Sequence, residues 1–384
     1  MATAALRLAK VFVERIETGV WPVGGRVPTT RALAAEFGVS VNTVQDAFRE
    51  LQAADLVERR PRTGGIVKGA ARQRGRSERA VTIGVVAPYI DVDENGAPAS
   101  GTWTHRIIQG CDRELGEAGM HVSMFWFDDQ DPDALGKVLA KVDRAGSELG
   151  GIFAFMRPCI SALPAALDQR DLGWVSVNPP REHATQNFVA QDVLPTARIV
   201  GRCLSGMGVE RVMLIGDRIV VGRSTADVYL GFMQGWLENG RRSRDVDFVQ
   251  TPDVREPAGY EHVRQHLKTF GRPGAIFGFG DLLAIGAMRA LREEGLQVGR
   301  DVHVIGATGL ELAAYANPPL TVSEVPMEHM GRAAAQMLLE MAREGVRRLL
   351  GRYLPARLIV RASCPIPAGI IEKELQLIAE ETRT

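Results

Sequence analysis

From residue 81 onward, short apolar runs alternate with amphipathic stretches, and few folds accommodate that alternation. The runs are Val81–Ala87, His121–Phe127, Gly151–Met156, Gly173–Val177, Arg211–Ile215, Val246–Gln250, Ala275–Phe279 and Val302–Gly306. Apolar residues at helical spacing fill the gaps near 103–119, 133–147, 194–206, 225–239, 257–270 and 281–295. Strands alternating with helices predict parallel sheets built from right-handed β-α-β units. The runs are almost continuously apolar, as parallel strands covered on both faces require. Eight strands are too many for one compact half. Two similar lobes are expected, with a ligand cleft at the strand C-termini.

The first 68 residues carry a different pattern. Thr29 is placed to cap a helix whose apolar face is Leu33, Ala34 and Phe37. Gly38 ends that helix, where a left-handed residue is needed. Ser40 caps the next helix, and Val44, Ala47, Phe48 and Leu51 form its i, i+3, i+4, i+7 stripe. Asn42, Gln45, Arg49 and Gln52 fall on the opposite face. Two helices joined by so short a turn make a helix-turn-helix, whose second helix enters the major groove. Asn and Gln there can pair with adenine edges, and Val41 can touch a thymine methyl. Leu56–Arg60 and Gly65–Lys68 read as two short strands around Pro61-Arg62-Thr63-Gly64, a basic wing that sets Arg against phosphates or into a minor groove. The candidate DNA-reading residues are Arg31, Ser40, Val41, Asn42, Thr43, Gln45, Arg49, Arg60, Arg62, Thr63 and Gly64. A small helical module that binds protein would show the same stripe, but not the order helix, Gly turn, helix, basic hairpin.

Charge agrees with a nucleic-acid partner. Residues 1–80 hold 14 Lys/Arg against 8 Asp/Glu, a net +6, and the remaining 304 residues are net −6, so the chain total of zero hides a basic head. Such a head recruits phosphate with an affinity that falls as salt rises. The 384 residues, 45 % of them hydrophobic and 24 % charged, suffice for two or three domains with a substantial core. No apolar run reaches the length of a membrane span, and no signal-peptide pattern opens the chain. Cys111, Cys159, Cys203 and Cys364 are scattered without metal-ligand spacing, so they are expected to be reduced thiols in a cytoplasm. His262 and His266 sit four apart on a helical stretch with no third ligand nearby, and a solvated helix face accounts for them. The Arg-rich stretch 69–80 has no apolar periodicity and is expected to be a linker.

The head resembles the GntR family of bacterial regulators through Ile16-Glu17-Thr18-Gly19, Pro28-Thr29-Thr30-Arg31, Leu33-Ala34, Gly38-Val39-Ser40, Asn42-Thr43-Val44, Leu51 and Gly64-Gly65. The resemblance implies that Arg31 contacts phosphate or base, and that Asn42, Thr43 and the wing Gly lie against DNA. Val41 and Gln45 stand where the family often has Arg, so no relative's operator transfers. Residues 81–363 resemble the LacI-type effector domain, itself similar to periplasmic sugar-binding proteins. The marks include Thr82-Ile83-Gly84-Val85-Val86, Val189-Ala190-Gln191-Asp192, Gly231-Phe232, Gly280-Asp281, Val304-Ile305-Gly306, Pro319-Leu320-Thr321-Val322, Met330-Gly331-Arg332 and Leu358-Ile359-Val360-Arg361. By that resemblance one lobe takes roughly 81–187 with 321–345 and the other roughly 188–318 with 346–363, joined by three strand crossings. The expected layout is an α/β chain with an N-terminal winged helix-turn-helix over 1–68, the linker 69–80, a two-lobed periplasmic-binding-protein-like domain over 81–363 and a tail helix over 364–384. It is similar to the arabinose repressor of bacilli.

The implied function is a ligand-responsive, DNA-binding transcriptional repressor without a cofactor or enzymatic activity, cytoplasmic, free of the membrane, and a homodimer on double-stranded operator DNA. Its effector is a sugar or another small metabolite. Sugar-binding relatives place Arg at the position of Val228, Asn at Gly280 and Asp at Thr308, and only Asp281 is kept. The candidate effector residues are Tyr89, Trp103, His105, Trp126, Arg157, Asp192, Arg223, Asp281 and Thr308, with an N-cap role also open to Asp281. Two other readings remain. One is a fusion of a GntR head to a pyridoxal-phosphate aminotransferase-like body, which needs a Schiff-base Lys. The other is a regulator with no small-molecule effector.

Overall fold

The structure is a computed structural model that describes residues 8, 9, 11, 12, 15, 16, 20–22, 24–53, 57–60, 64–67, 82–89, 101–179, 186–217 and 224–381. The linker 69–80 and the candidate site residues Arg62, Thr63 and Arg223 lie outside them. The chain separates into two compact units, 1–80 and 81–384.

In the first unit, α1 (Thr30–Phe37) and α2 (Val41–Ala53) precede a hairpin of β1 (Val57–Arg60) and β2 (Gly64–Val67). The hairpin is antiparallel, with Val57 opposite Val67 and Arg60 opposite Gly64, its second strand starting one residue before the expected Gly65. Segment 24–27 adds to its edge, since Val27 N donates to Gly65 O at 2.9 Å and Val67 N to Gly25 O at 3.0 Å. The centre of this core is Phe12, fully buried, with ring centroids 5.1 Å from Trp21, 5.8 Å from Phe37 and 5.2 Å from Phe48. Beyond the Ile16-Glu17-Thr18-Gly19 match to the family, no packing role was expected of this N-terminal segment, whose buried rings complete the apolar face that two helices alone leave open.

The second unit contains two six-stranded sheets. The first is parallel throughout, in the order β13, β7, β6, β5, β3, β4: Arg352–Pro355, Phe188–Asp192, Trp174–Val177, Leu149–Phe155, Thr82–Pro88 and His121–Phe127. The second runs β14, β12, β11, β10, β8, β9: Arg357–Ile359, Thr321–Glu324, His303–Thr308, Ala275–Gly278, Val212–Gly216 and Val246–Gln250. Only β14 in it is antiparallel. The connecting helices are α3 (Gly101–Glu117), α4 (Ala134–Ala145), α5 (Leu163–Asp168), α6 (Leu194–Gly206), α7 (Ser224–Glu238), α8 (Glu256–Phe270), α9 (Asp281–Glu293), α10 (Leu312–Tyr315) and α11 (Met327–Glu344), with α12 (Ala368–Glu381) last. The parallel α/β architecture expected from the alternation is the one observed.

The lobe boundaries differ from the expected ones. β7 pairs with β6 through Ser176 opposite Phe188, so Phe188–Asp192 completes the first sheet rather than opening the second. β12 pairs with β11 in the second sheet, and β13 with β7 in the first. The chain therefore crosses after Asp192, after Glu324 and at Ala356. Apolar runs mark strands but not their hydrogen-bonded neighbours, so pairing decides these limits. The crossings are laced together: Ala356 N donates to Asp192 O at 2.9 Å and Thr196 Oγ1 to Ala356 O at 2.8 Å.

Glycines let three helix pairs approach backbone to backbone. A Cβ on Gly331 of α11 would lie 1.9 Å from Ile107 O of α3, and one on Gly110 would lie 2.0 Å from Glu328 O. Gly235 of α7 would meet Arg198 O at 2.0 Å, and Gly286 of α9 would meet Glu256 O at 2.1 Å. The start of α12 packs on α6, where Arg202 donates to the buried Glu374 carboxylate.

Candidate nucleic-acid interface and effector cleft

The reading surface is built by local hydrogen bonding. Thr29 Oγ1 accepts from Ala32 N at 3.2 Å to start α1, and Gly38 ends it at φ 63°. Ser40 Oγ accepts from Thr43 N at 3.1 Å and pairs with Thr43 Oγ1 at 2.8 Å. The cap sets where α2 begins, and the buried Val44, Ala47, Phe48 and Leu51 set which side faces inward. Val41, Asn42 and Arg49 are exposed and Gln45 half-buried on the outward side, with Arg31 exposed on α1. Arg49 Nη1 lies 2.6 Å from Asp46 Oδ1. Arg60 and Gly64 face each other at the mouth of the hairpin. Replacing Ser40 with Ala is expected to cost about 1 kcal/mol of head stability. Hydrogen exchange at the Val44–Leu51 amides should then run about fivefold faster in the full chain. Unchanged exchange would mean that the cap contributes nothing.

In the second unit the candidate cleft residues occupy strand ends. Tyr89 follows β3 and stacks on Trp126 near the end of β4, with centroids 6.4 Å apart and planes at 16°. Tyr89 N donates to Phe127 O at 2.6 Å, and Lys141 Nζ to Trp126 O at 2.5 Å, which fixes that strand end. Trp103, in the first turn of α3, meets Phe155 edge-on at 5.8 Å. His105 is exposed and bonded to Gln109 Nε2 at 3.0 Å, and Arg157 is exposed after β5. Asp192 is half-buried beside the first crossing, and next to it Gln191 Oε1 is buried with no hydrogen-bond partner among the described residues. Thr308, half-buried, donates its hydroxyl to Ala307 O. Tyr89 and Trp126 are thus brought together as a stacked pair.

Asp281 does not fill the N-cap role that was also open to it. Gly280 holds the N-cap position without a side-chain bond, and Asp281 is the first helical residue, only 1 % exposed. Its Oδ2 accepts from Leu310 N at 2.6 Å, and Gly309 N also bonds the carboxylate. The carboxylate therefore holds the loop after β11 through Oδ2, while Oδ1 is buried without a hydrogen-bond partner among the described residues. Burial pushes its pKa up to about 6, against the pull of the two amides and Arg361. Glycine at 306 makes the room, because a Cβ there would sit 2.4 Å from Asp281 Oδ1.

The same loop meets the other lobe through Arg106, a residue that sequence reasoning missed. Arg106 on α3 donates to Gly309 O and to Glu328 Oε1, each at 3.3 Å. A cavity of about 340 Å³ at the crossings is lined by Arg106, Glu324, Val325, Met327, Leu354 and Arg357, among others. No spacing in the chain relates residue 106 to residue 309, so no sequence signal could have found this contact.

The remaining candidates are structural. His266 is 3 % exposed and bonded to Asp247 Oδ2 at 3.1 Å, while His262 Nδ1 lies 2.9 Å from Ala258 O. The solvated face expected for this pair is corrected at His266, which is buried on the inner side of α8 against Asp247 of β9. Cys111, Cys203 and Cys364 are free and buried, and burial pushes each thiol up to about 12. Among the described residues no helix is long and apolar enough to cross a membrane.

Comparison with known proteins places these features. Residues 5–67 match the gntR family of bacterial regulatory proteins, and residues 202–364 match a periplasmic binding protein-like domain. An HTH-type transcriptional regulator from the aml 5′ region of Streptomyces limosus is 32 % identical over 210 residues, 53 % of this chain and 59 % of the relative. The HTH-type transcriptional repressor MelR of Bacillus subtilis is 40 % identical over 163 residues, 41 % of this chain and 44 % of the relative. The chain thus spans about half the length of these curated relatives. A ribose-bound LacI family regulator from Enterococcus faecium matches with TM-score 0.62 at 19 % identity, covering 74 % of this chain and 99 % of that one. The regulator CelR in complex with cellobiose matches with TM-score 0.62 at 21 % identity, covering 88 % of this chain and all of that one. The chain carries a gntR-type head and a periplasmic-binding-protein-like body of the LacI type, so the body is not an aminotransferase fold.

Proposed function

We propose that this chain, a gntR-type reading head on a LacI-type two-lobed body, is a ligand-responsive transcriptional repressor. The observation that carries the reading is the outward face of α2, held at a capped start by Ser40 and presenting Val41, Asn42 and Gln45. Such a face is built to enter a major groove. The second support is a body whose two sheets are connected by three short crossings, a natural two-state element. A small molecule between the lobes shifts their angle and changes operator affinity, a coupling of about 1–3 kcal/mol in either direction. The protein acts in the cytoplasm as a homodimer, which matches the two-fold symmetry of operators.

The names of its relatives agree: MelR of Bacillus subtilis and PurR of Erwinia tasmaniensis are both HTH-type transcriptional repressors. Ribose, cellobiose and ONPG occupy solved structures of the same fold. In this chain Val228 is buried, Gly280 has no side chain and the Thr308 hydroxyl is turned to its own backbone. The polar set that grips a hydroxylated ring is thus reduced, and the stacked Tyr89–Trp126 pair offers a flat apolar platform instead.

Two measurements test the reading. Gel shifts with DNA upstream of the chain's own gene should show a sequence-specific complex, and binding to every DNA alike would overturn it. A thermal-shift screen of sugars, nucleosides and small acids should yield a stabilising ligand. Trp126→Ala should weaken that ligand about tenfold, as loss of an aromatic platform does. An unchanged affinity would remove the pair from the site.

A further inference from the structure

We infer that the base pairs facing the first two turns of α2 are A·T pairs. Val41 meets a thymine methyl there, and Asn42 and Gln45 meet adenine edges. This rests on the regulator reading and adds the chemistry of the operator that the head selects.

The inference comes from which groups remain available on the outward ridge. In the first turn, Ser40 Oγ and Thr43 Oγ1 are bonded to each other and Ser40 also takes the Thr43 amide, so both hydroxyls serve the cap. Val41, at 37 % exposure, leaves two methyl groups outside the core. Asn42 and Gln45 supply primary amides. The basic group on this ridge is Arg49, 72 % exposed, and Asp46 Oδ1 holds it at 2.6 Å. A guanidinium tied to a neighbouring carboxylate presents fewer donors to a base, and that carboxylate repels guanine O6 and N7. Guanine is read chiefly by a bidentate Arg or Lys, adenine by a bidentate Asn or Gln, and thymine by apolar contact with its methyl. Two amides and an exposed valine, without an unpaired cation among them, therefore match adenine and thymine. Arg31 stands on α1, off this ridge.

The test uses the full-length protein. Selection from random duplex DNA should return half-sites with two or three adjacent A·T pairs. Replacing the thymine facing Val41 by uracil, which lacks one methyl, should weaken binding about fourfold. That penalty should vanish in Val41→Ser. Adenine-to-7-deaza-adenine substitution removes the N7 acceptor and should cost about tenfold. Gln45→Arg, a change on the outward side of the helix, should move the preferred base at one position from adenine to guanine. A selected motif with G·C pairs under the helix, or a uracil penalty equal in parent and Val41→Ser, would overturn the inference and leave the regulator reading intact. If selection enriches no motif, the regulator reading itself fails.

Discussion

Gly331→Val should cost the body about 3 kcal/mol or more, and the loss should appear as a lowered urea midpoint at unchanged slope. A Cβ at this position would lie 1.9 Å from Ile107 O and 2.7 Å from Cys111 N. Both are backbone atoms inside α3, so no side chain can rotate away. The helices must separate, and the opposing Gly110, which would meet Glu328 O at 2.0 Å, loses its close contact as well. Overpacking a core typically costs about 1–3 kcal/mol, with larger values where the clash is with a rigid partner. The buried Ile107, Cys111, Met330 and Ala334 would lose packing as the gap opens. Function should suffer too, because α11 directly follows the crossing after Glu324. Gly116 of the partner helix α3 is the control: a Cβ there meets nothing within 4 Å. Gly116→Ala should gain about 0.5–1 kcal/mol, the usual helix preference for Ala. Equal stability of Gly331→Val and parent would show that the two helices are not held at this distance.

Asp281→Asn should flatten the dependence of stability on pH between about 4 and 7. In the unfolded chain Asp281 titrates near the usual value of about 3.9. In the fold burial raises it to about 6. The folded state therefore binds this proton more tightly, and its contribution to stability is complete below about pH 4 and lost as pH rises through 6. A shift of about two units corresponds to roughly 3 kcal/mol. Asn carries no charge, and its amide oxygen can still accept from Leu310 N. Urea titrations at pH 5 and pH 7.5 should show the parent losing about half of this increment, roughly 1.4 kcal/mol, and the variant losing none of it. Parallel pH profiles for the two proteins would refute the assignment. The same change bears on the lobes, because the loop that Asp281 holds accepts Arg106 from the other side.

Much of the head was legible because its determinants are local. The Thr29 and Ser40 caps, the Gly38 stop and the stripe through Leu51 all act within four residues of their partners. The second hairpin strand starts at Gly64, one residue before the expected Gly65, and the expected ends Leu56 and Lys68 lie outside the described residues. In the body the eight apolar runs became strands at nearly the expected limits. The four unnamed strands, β7, β12, β13 and β14, are short and only partly apolar, and β13 pairs with β7 across more than half the body. α11 was missed as a helix although its Met and Gly residues were noted, because glycine reads as a breaker where it actually admits a neighbouring backbone. The candidate cleft was partly legible: Tyr89 and Trp126 meet, whereas Asp281 and Thr308 are turned to backbone groups.

By itself the amino-acid sequence determined the elements of this protein, the basic charge of its head and the composition of its reading ridge. Those depend on spacings of two, three or four residues, which a chain states directly. Only the tertiary structure decided which sheet each short strand joined, that Asp281 supports a loop, and that Arg106 reaches Gly309 across 203 residues. These follow from burial and from pairings between distant segments, whose free energy appears only once the chain has closed around them.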